Sequence, residues 1–145
     1  MTNIEKINTE TTFKVRNAVL RPNRPVESCY FDGDNLFTTS HYGYYMKDNL
    51  VGIISAFEKI NENWSNDRQI QVRGMAVLDD FQKKGIGKQL LQHLIKVAKE
   101  NNSTLIWCNA RKNAVLFYEK NGFDVKGAAF EIEGIGTHYL MCRSI

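Results

Sequence analysis

The feature that most constrains the fold is a strand, a glycine turn and an amphipathic helix in direct succession. The stretch "QIQVRGMAV", residues 69–77, alternates in polarity and predicts a strand. One side carries Ile70, Val72 and Ala76, and the other side carries Gln71, Arg73, Met75 and Val77. Because Gly74 lies inside this strand, we expect a bulge or a close backbone approach there.

The helix after the turn "QKKGIG" has one apolar face. Its polar face includes His93, which we expect to be solvated. The apolar residues recur at helical spacing, so this face should enter the core. They are Ile86, Leu90, Leu91, Leu94, Ile95, Val97 and Ala98.

The rest of the chain alternates between strand-like and helix-like segments. A first strand is predicted at 3–8, followed by a helix at 10–20 and a loop that holds both prolines. The other strands are predicted at 39–46, 50–60, 104–109, 123–133 and 137–143, with a short helix at 113–122 that ends at Gly122. This order predicts an α+β fold, with a mixed sheet and helices on its faces.

Composition narrows the class of protein. A chain of 145 residues with 43% hydrophobic content predicts a single domain over residues 1–145. A net charge of +3 is too small to predict nucleic-acid binding. Three separated cysteines predict neither a disulfide framework nor a metal site. The apolar run "LVGIISAF" is too short to span a membrane, and the N-terminus lacks a signal peptide, so we expect a cytoplasmic protein.

The glycine turn predicts an anion site. Free N–H groups at a helix N-terminus attract phosphate, glycine allows close approach, and Lys83, Lys84 and Lys88 add positive charge. A tight turn with solvated lysines is the alternative. A Walker A loop would require glycine at 82 and serine or threonine at 89, where this chain has Gln82 and Gln89. A Rossmann fingerprint would require a third glycine at 90 and an acidic residue where Asn109 ends the next predicted strand.

Two motifs in this order resemble the GNAT N-acetyltransferase superfamily. "QKKGIG" matches its acetyl-CoA loop, Gln/Arg-x-x-Gly-x-Gly/Ala, at Gln82, Gly85 and Gly87. "NARKNAVLFYEKNGF" resembles its downstream signature, Asn-x-x-Ala-x-x-x-Tyr-x-x-x-Gly-Phe, although the spacing differs because Ala114 directly follows Asn113. The resemblance covers roughly residues 69 to 143 well, and a looser likeness extends into the N-terminal half.

The resemblance implies a fold, a donor and a set of cofactor-binding residues. The implied GNAT fold has a central, mostly antiparallel sheet of about six to seven strands flanked by helices on both faces. Acetyl-CoA is the implied donor, with its pyrophosphate on the amides of residues 83–88 and its pantetheine arm paired with the strand that ends at Val77. The implied binding residues are Met75, Ala76, Val77, Gln82, Lys83, Lys84, Gly85, Ile86, Gly87, Lys88, Asn109, Asn113, Phe117 and Tyr118.

The resemblance also implies catalytic roles in acetyl transfer to a primary amine. The amide of Val77 is the implied oxyanion donor and Tyr118 the implied general acid on the CoA sulfur, while core packing is the alternative role for Tyr118. The general base is open. His138 is the candidate on a closing strand, and the others are Glu58, Glu131, Glu133 and His41. A Cys–His hydrolase is disfavoured because nothing in the sequence orients such a pair.

The acceptor and the assembly are not readable from these motifs. The carboxylates of Glu27, Asp32 and Asp34 could attract a cationic amine or simply be solvated. The aromatic stretch "HYGYY" could form a homodimer surface or part of the core. A catalytically silent acyl-CoA-binding module remains the competing hypothesis to a small-molecule or peptide N-acetyltransferase.

Overall fold

A computed structural model describes residues 3–145. Within these residues, one sheet holds all eight strands. The strands are β1 (Ile4–Ile7), β2 (Ser40–Met46), β3 (Asn49–Phe57), β4 (Gln69–Val77), β5 (Leu105–Arg111), β6 (Asp124–Val125), β7 (Phe130–Ile132) and β8 (Gly136–Ser144). The helices are α1 (Thr9–Val15), α2 (Ile86–Glu100) and α3 (Val115–Lys120).

The sheet is mostly antiparallel. Its strand order is β1-β2-β3-β4-β5-β8-β6, and β7 also pairs with β8. Only β4 and β5 pair in parallel within the described sheet, and the α2 crossover joins them. The predicted α+β class and mostly antiparallel sheet are confirmed.

Helices cover both faces of the sheet, as predicted. On one face, α2 and α3 bury the large core that includes Leu90, Leu94, Ile106 and Met141. On the other face, Val15 of α1 lies in a smaller cluster with Leu50, Ile53 and Ala76. We call these the α2 face and the α1 face of the sheet.

The apolar face of α2 enters the core as its spacing predicted. Apart from Val97, which is partly buried, its apolar residues are buried. His93 departs from the prediction, because its ring lies edge-on against Tyr42 with 4.8 Å between centroids. This half-buried position lowers the pKa of His93, chiefly by desolvation.

Three segments differ from their predicted form, and a fourth, "HYGYY", for which core and a dimer surface were both open, is assigned below. The first α-helix ends at Val15, and a single π-helical turn follows it over Arg16–Leu20. The strand predicted at 104–109 runs on to Arg111. The strand predicted at 123–133 is two short strands, because the chain turns at Gly127, where φ is +79°, before pairing with β8 again. The stretch "HYGYY" is core from His41 to Tyr44.

Candidate active site

A gap opens in the middle of the sheet between β4 and β5. Their parallel ladder covers Gln69 to Gln71 of β4 against Leu105 to Trp107 of β5, and the strands diverge beyond it. The backbone edges of Val72–Val77 and Cys108–Arg111 therefore face each other without a shared ladder. We call this gap the splay. Unpaired peptide groups along such an edge favour a ligand with its own amides.

A bulge at Gly74 changes the side-chain alternation along β4. The pairing with β3 passes from Ile53↔Ala76 to Ser55↔Arg73, so β4 carries one extra residue there. Gly74 adopts φ +62°, a left-handed conformation that glycine accepts without strain.

The bulge makes the predicted alternation wrong beyond Arg73. One inserted residue moves every later side chain to the opposite face. Arg73 contacts Phe31 and Phe57 on the α1 face, where Ala76 also lies, whereas Met75 and Val77 pack against the α2 face. Arg73 therefore does not share a face with Met75 and Val77.

The edge of β4 that faces the splay carries free donors. The amide of Leu78 donates to Val51 of β3 at 2.9 Å. Because successive N–H groups point to opposite edges of a strand, the amide of Val77 faces the splay. The carbonyl of Val77 accepts from the side-chain amide of Gln82 at 2.9 Å.

The glycine turn places an uncapped helix N-terminus beside the splay. Gly85, with φ +82°, is the N-cap of α2 and provides no side-chain cap. The amides of the first turn, Ile86 to Lys88, therefore project from the helix end without an intrahelical partner. A Cβ on Gly85 would meet nothing within 4 Å, so the approach to these amides is open.

The residues of the turn differ in what they offer a ligand. Ile86 is buried in the core, so it has only its backbone to offer. Gln82 uses its side chain to close the turn, through Val77 and Asp79. The side chains of Lys83 and Lys88 line the cavity described below, whereas that of Lys84 is exposed and does not.

Tyr118 approaches the splay from α3, on the α2 face. Its ring packs edge-on against Phe117 at 5.3 Å and Phe123 at 5.2 Å. The side chain is 5% exposed and, within residues 3–145, its hydroxyl makes no hydrogen bond. Burial raises the pKa of Tyr118 well above its ordinary value, and nearby Cys108 adds to the shift. The phenol therefore stays protonated at neutral pH.

His138 approaches from β8 on the α1 face. Its Nδ1 lies 2.8 Å from the carbonyl oxygen of Gly136. A carbonyl only accepts, so Nδ1 carries the proton and Nε2 is left as an acceptor when the ring is neutral. His138 is buried beside Phe130 and lines the cavity.

The other base candidates do not reach this region. Glu58, Glu131 and Glu133 are exposed, and none of them lines the cavity. His41 is enclosed away from it, with Ser55 at 2.6 Å from Nδ1 and the Asp34 carbonyl at 3.0 Å from Nε2. Of the five candidates, His138 alone lines the cavity.

A buried ion pair underlies the α1 face. Asp34 accepts from Arg16 with both oxygens, at 2.7 and 3.0 Å, and neither side chain is exposed. Arg16 also donates to Ser55 and to the carbonyl of Cys29. Asp34 is therefore neither solvated nor free to attract a cationic acceptor, since its side chain is buried and its charge is paired with Arg16.

A single cavity of about 1090 Å³ runs along the splay and joins these groups. It contains all the predicted site residues except Lys84. Its predicted lining residues are Met75, Ala76, Val77, Gln82, Lys83, Gly85, Ile86, Gly87, Lys88, Asn109, Asn113, Phe117, Tyr118 and His138.

Several lining residues were not predicted for the site. Among them are Arg21, Gln71, Arg73 and Arg111. No sequence motif marks them, because strands β4 and β5 and the turn that holds Arg21 come together only in the folded protein. The sequence signal is limited to Gln71 and Arg73, two polar residues on the same side of the predicted strand.

Other chemistries find little support. The three cysteines are free and buried, and desolvation raises the pKa of Cys108 far above its ordinary value, which disfavours a thiolate nucleophile. Among residues 3–145, no cluster of His, Cys, Asp and Glu side chains could hold a metal ion. No helix in the same range is long and apolar enough to cross a membrane.

Comparison with known proteins defines the class to which this fold and site belong. The acetyltransferase (GNAT) domain profile matches residues 34–142. The chain is 28% identical over 145 residues to the uncharacterized N-acetyltransferase YitI of Bacillus subtilis, covering 100% of this chain and 97% of that protein.

Solved structures share the fold. An aminoglycoside 6'-N-acetyltransferase complexed with coenzyme A superposes with a TM-score of 0.72 at 16% identity, over 97% of this chain and 96% of the other. A GNAT acetyltransferase from Elizabethkingia anophelis with acetyl-CoA bound gives a TM-score of 0.69 at 17% identity, over 98% and 97%.

The chain is thus an acetyl-CoA-dependent acyltransferase. It belongs to the GNAT acetyltransferase family. The family predicted from the glycine turn and the downstream signature is confirmed, as is acetyl-CoA as the donor.

Proposed function

We propose that this protein transfers the acetyl group of acetyl-CoA directly to a primary amine, with Tyr118 as the general acid. The observation that carries the proposal is the cavity through the splay, which reaches Tyr118 from one face of the sheet and His138 from the other. A donor in the splay would meet an acceptor from the α1 face, with no covalent enzyme intermediate required.

The donor end of the cavity lies at the glycine turn. The uncapped amides of Ile86 to Lys88 and the side chains of Lys83 and Lys88 suit the CoA pyrophosphate. The free edge of β4 from Met75 to Val77 suits the amides of the pantetheine arm. Asn109, Asn113 and Phe117 line the same cavity and complete the proposed donor site.

Transfer requires stabilisation of the oxyanion and protonation of the leaving sulfur. The amine nitrogen forms a bond to the thioester carbonyl carbon, and the Val77 amide, which faces the splay, stabilises the negative oxygen. As the carbon–sulfur bond breaks, Tyr118 gives its proton to the thiolate. Because burial raises the pKa of Tyr118, its hydroxyl stays protonated until the thiolate forms.

The incoming amine must also lose a proton. His138 offers Nε2 as the acceptor because Nδ1 donates to Gly136. Its position on the α1 face puts this nitrogen on the acceptor side of the sheet, opposite Tyr118. We propose His138 as the general base, acting directly or through a water.

The acceptor is a small molecule or a peptide amine, and a homodimer remains a prediction. Among solved structures with this fold, one enzyme acts on an aminoglycoside and another on a ribosomal protein's alanine, so the fold serves both kinds of acceptor.

The test is release of free CoA thiol from acetyl-CoA with a panel of primary amines, with mass spectrometry of the products. We expect thiol release that depends on the amine, with an equal amount of acetylated product. Tight acetyl-CoA binding without thiol release from any amine would instead support the silent acyl-CoA-binding module.

A further inference from the structure

The acceptor side of the cavity is rich in arginines that have no carboxylate partner, although Arg111 donates to the carbonyl of Leu20 at 2.9 Å. Arg21, Arg73 and Arg111 line it, and Asp32 is its lining carboxylate. Within the described chain, Asp34 forms its ion pair with Arg16, and His41 lies 3.8 Å from the same carboxylate. None of the three cavity guanidinium groups has a carboxylate within ion-pair distance in that range.

Two of these arginines meet at one aromatic ring. The guanidinium carbon of Arg73 lies 4.7 Å from the centroid of Phe31, and that of Arg21 lies 5.6 Å from it. Arg16 lies closer, at 4.0 Å, but its charge is matched by Asp34. Two guanidinium groups without a carboxylate partner therefore lie against the same ring at the cavity wall.

Placing these positive charges close together in a partly buried position is unfavourable. Desolvation is the largest cause that lowers the pKa of Arg21, Arg73 and Arg111, and repulsion from neighbouring arginines lowers it further. For Arg73, attraction by Asp34 and Asp32 offsets part of this lowering. Burying like charges together without an anion destabilises a fold. An anionic ligand at this position would relieve that repulsion.

Gln71 gives a second, independent sign of a ligand. The side chain is 5% exposed and lines the cavity, yet its Oε1 has no hydrogen-bond partner within residues 3–145. A buried acceptor without a partner is costly, typically about 1–3 kcal/mol. Gln71 precedes Arg73 on the same face of β4, before the bulge. An N–H group of a bound molecule would satisfy it.

These charges lie away from the donor phosphates. Strand β4 runs from Gln69 toward the glycine turn, and Arg73 precedes Val77 by four positions, or roughly 13 Å of extended chain. Arg73 also faces the α1 side, from which we propose that the acceptor enters. The phosphate site therefore does not account for this cluster.

We propose that the acceptor is a small primary amine that carries a carboxylate. Arg73 and Arg21 hold the carboxylate, and Gln71 accepts a hydrogen bond from an N–H of the same molecule. This inference names the acceptor class and rests on the proposed function. The arginine cluster should equally repel polycationic amines such as spermidine.

The test compares each acid with its own amide. The pairs are leucine and leucinamide, glycyl-leucine and its amide, and γ-aminobutyrate with γ-aminobutyramide. They distinguish a free α-amino acid, a peptide C-terminus and an ω-amino acid as sources of the carboxylate. Each rate is divided by the concentration of the neutral amine, because converting the carboxylate to an amide lowers the pKa of the amino group. We expect the acid of the best pair to exceed its amide about tenfold or more in kcat/KM.

The variant Arg73→Gln tests the assigned contact. It should lower kcat/KM for the acid about 10- to 100-fold, mainly through KM, and change the amide by less than about threefold. Arg73→Lys should recover part of the loss, since the charge remains. Arg68→Gln is the matched control, because Arg68 is exposed, just precedes β4 and lies outside the cavity.

Two results would overturn the inference: amides or spermidine that match the acids, or an acid-to-amide ratio that Arg73→Gln leaves unchanged. Calorimetric binding of each pair to the protein–CoA complex separates this inference from the proposed function. If no amine releases thiol, the proposed function fails. The preference of the complex for the acid or for the amide then still decides whether the arginine cluster binds a carboxylate.

Discussion

Replacing Asp34 with asparagine removes the negative charge against which Arg16 is buried. Arg16 is 0% exposed and donates to both carboxylate oxygens of Asp34. Asparagine keeps one acceptor oxygen and turns an NH₂ group toward the guanidinium. Asp34 also accepts from the amide of Phe31 at 2.7 Å, so the loop beside the cavity loses an anchor.

The expected cost is large for a single substitution. Leaving one partner of a buried ion pair uncompensated costs about 3–5 kcal/mol. The whole stability of a domain is about 5–15 kcal/mol. For a chain of this length, that loss lowers Tm by about 10–20 °C.

Thermal unfolding followed by circular dichroism measures the effect, with Asp32→Asn as the matched control. Asp32 is exposed and two positions away, so its variant should unfold within about 2 °C of the parent protein. The reasoning is refuted if Asp34→Asn unfolds within about 3 °C of the parent, since the pair would then contribute almost nothing.

Two further predictions concern the donor site and pH. Gly87→Glu should weaken CoA binding at least about tenfold, because a carboxylate at the N-terminus of α2 repels phosphate, while it leaves the helix stable. Gly87→Gln, of equal size and neutral, should weaken binding less, and equal losses in titration calorimetry would remove the charge argument. Desolvation lowers the pKa of buried His41 below 6.5, so the unfolded chain takes up its proton first on acidification. Stability is full above pH 6.5 and falls as pH drops through the folded pKa. Denaturant unfolding between pH 7.5 and 5 checks this, and a His41→Gln variant whose stability falls as steeply would contradict it.

Local patterns predicted much of the fold. The apolar face of α2 is a repeat that sequence shows directly, and the core bears it out. Gly74 predicts a bulge, but the effect of that bulge on the later side chains does not follow from the sequence. The alternation of polar and apolar side chains along a strand does not show which residue is the inserted one. The strand predicted at 123–133 is continuous in the sequence pattern, and its break at Gly127 is a single turn that this pattern does not show.

Contacts between residues far apart in the chain could not be predicted from the sequence. Arg16 and Asp34 are 18 positions apart, and only the folded loop joins them. Motif residues such as Gly85 and Tyr118 could be predicted, because they belong to the two GNAT motifs that the sequence resembles. Arg73 and Gln71 belong to no motif, and their significance appears only when the cavity and the missing partners are seen together.

The central claim is that Tyr118 delivers the proton that lets CoA leave. The variant Tyr118→Phe keeps the ring packed between Phe117 and Phe123 and removes a hydroxyl that makes no hydrogen bond in the described chain. Steady-state thiol release and CoA titration on this variant are the most direct measurement. The account predicts that kcat falls about 100-fold or more while the Kd for CoA changes less than about threefold. An unchanged kcat with unchanged CoA affinity would contradict it and leave Tyr118 with packing alone.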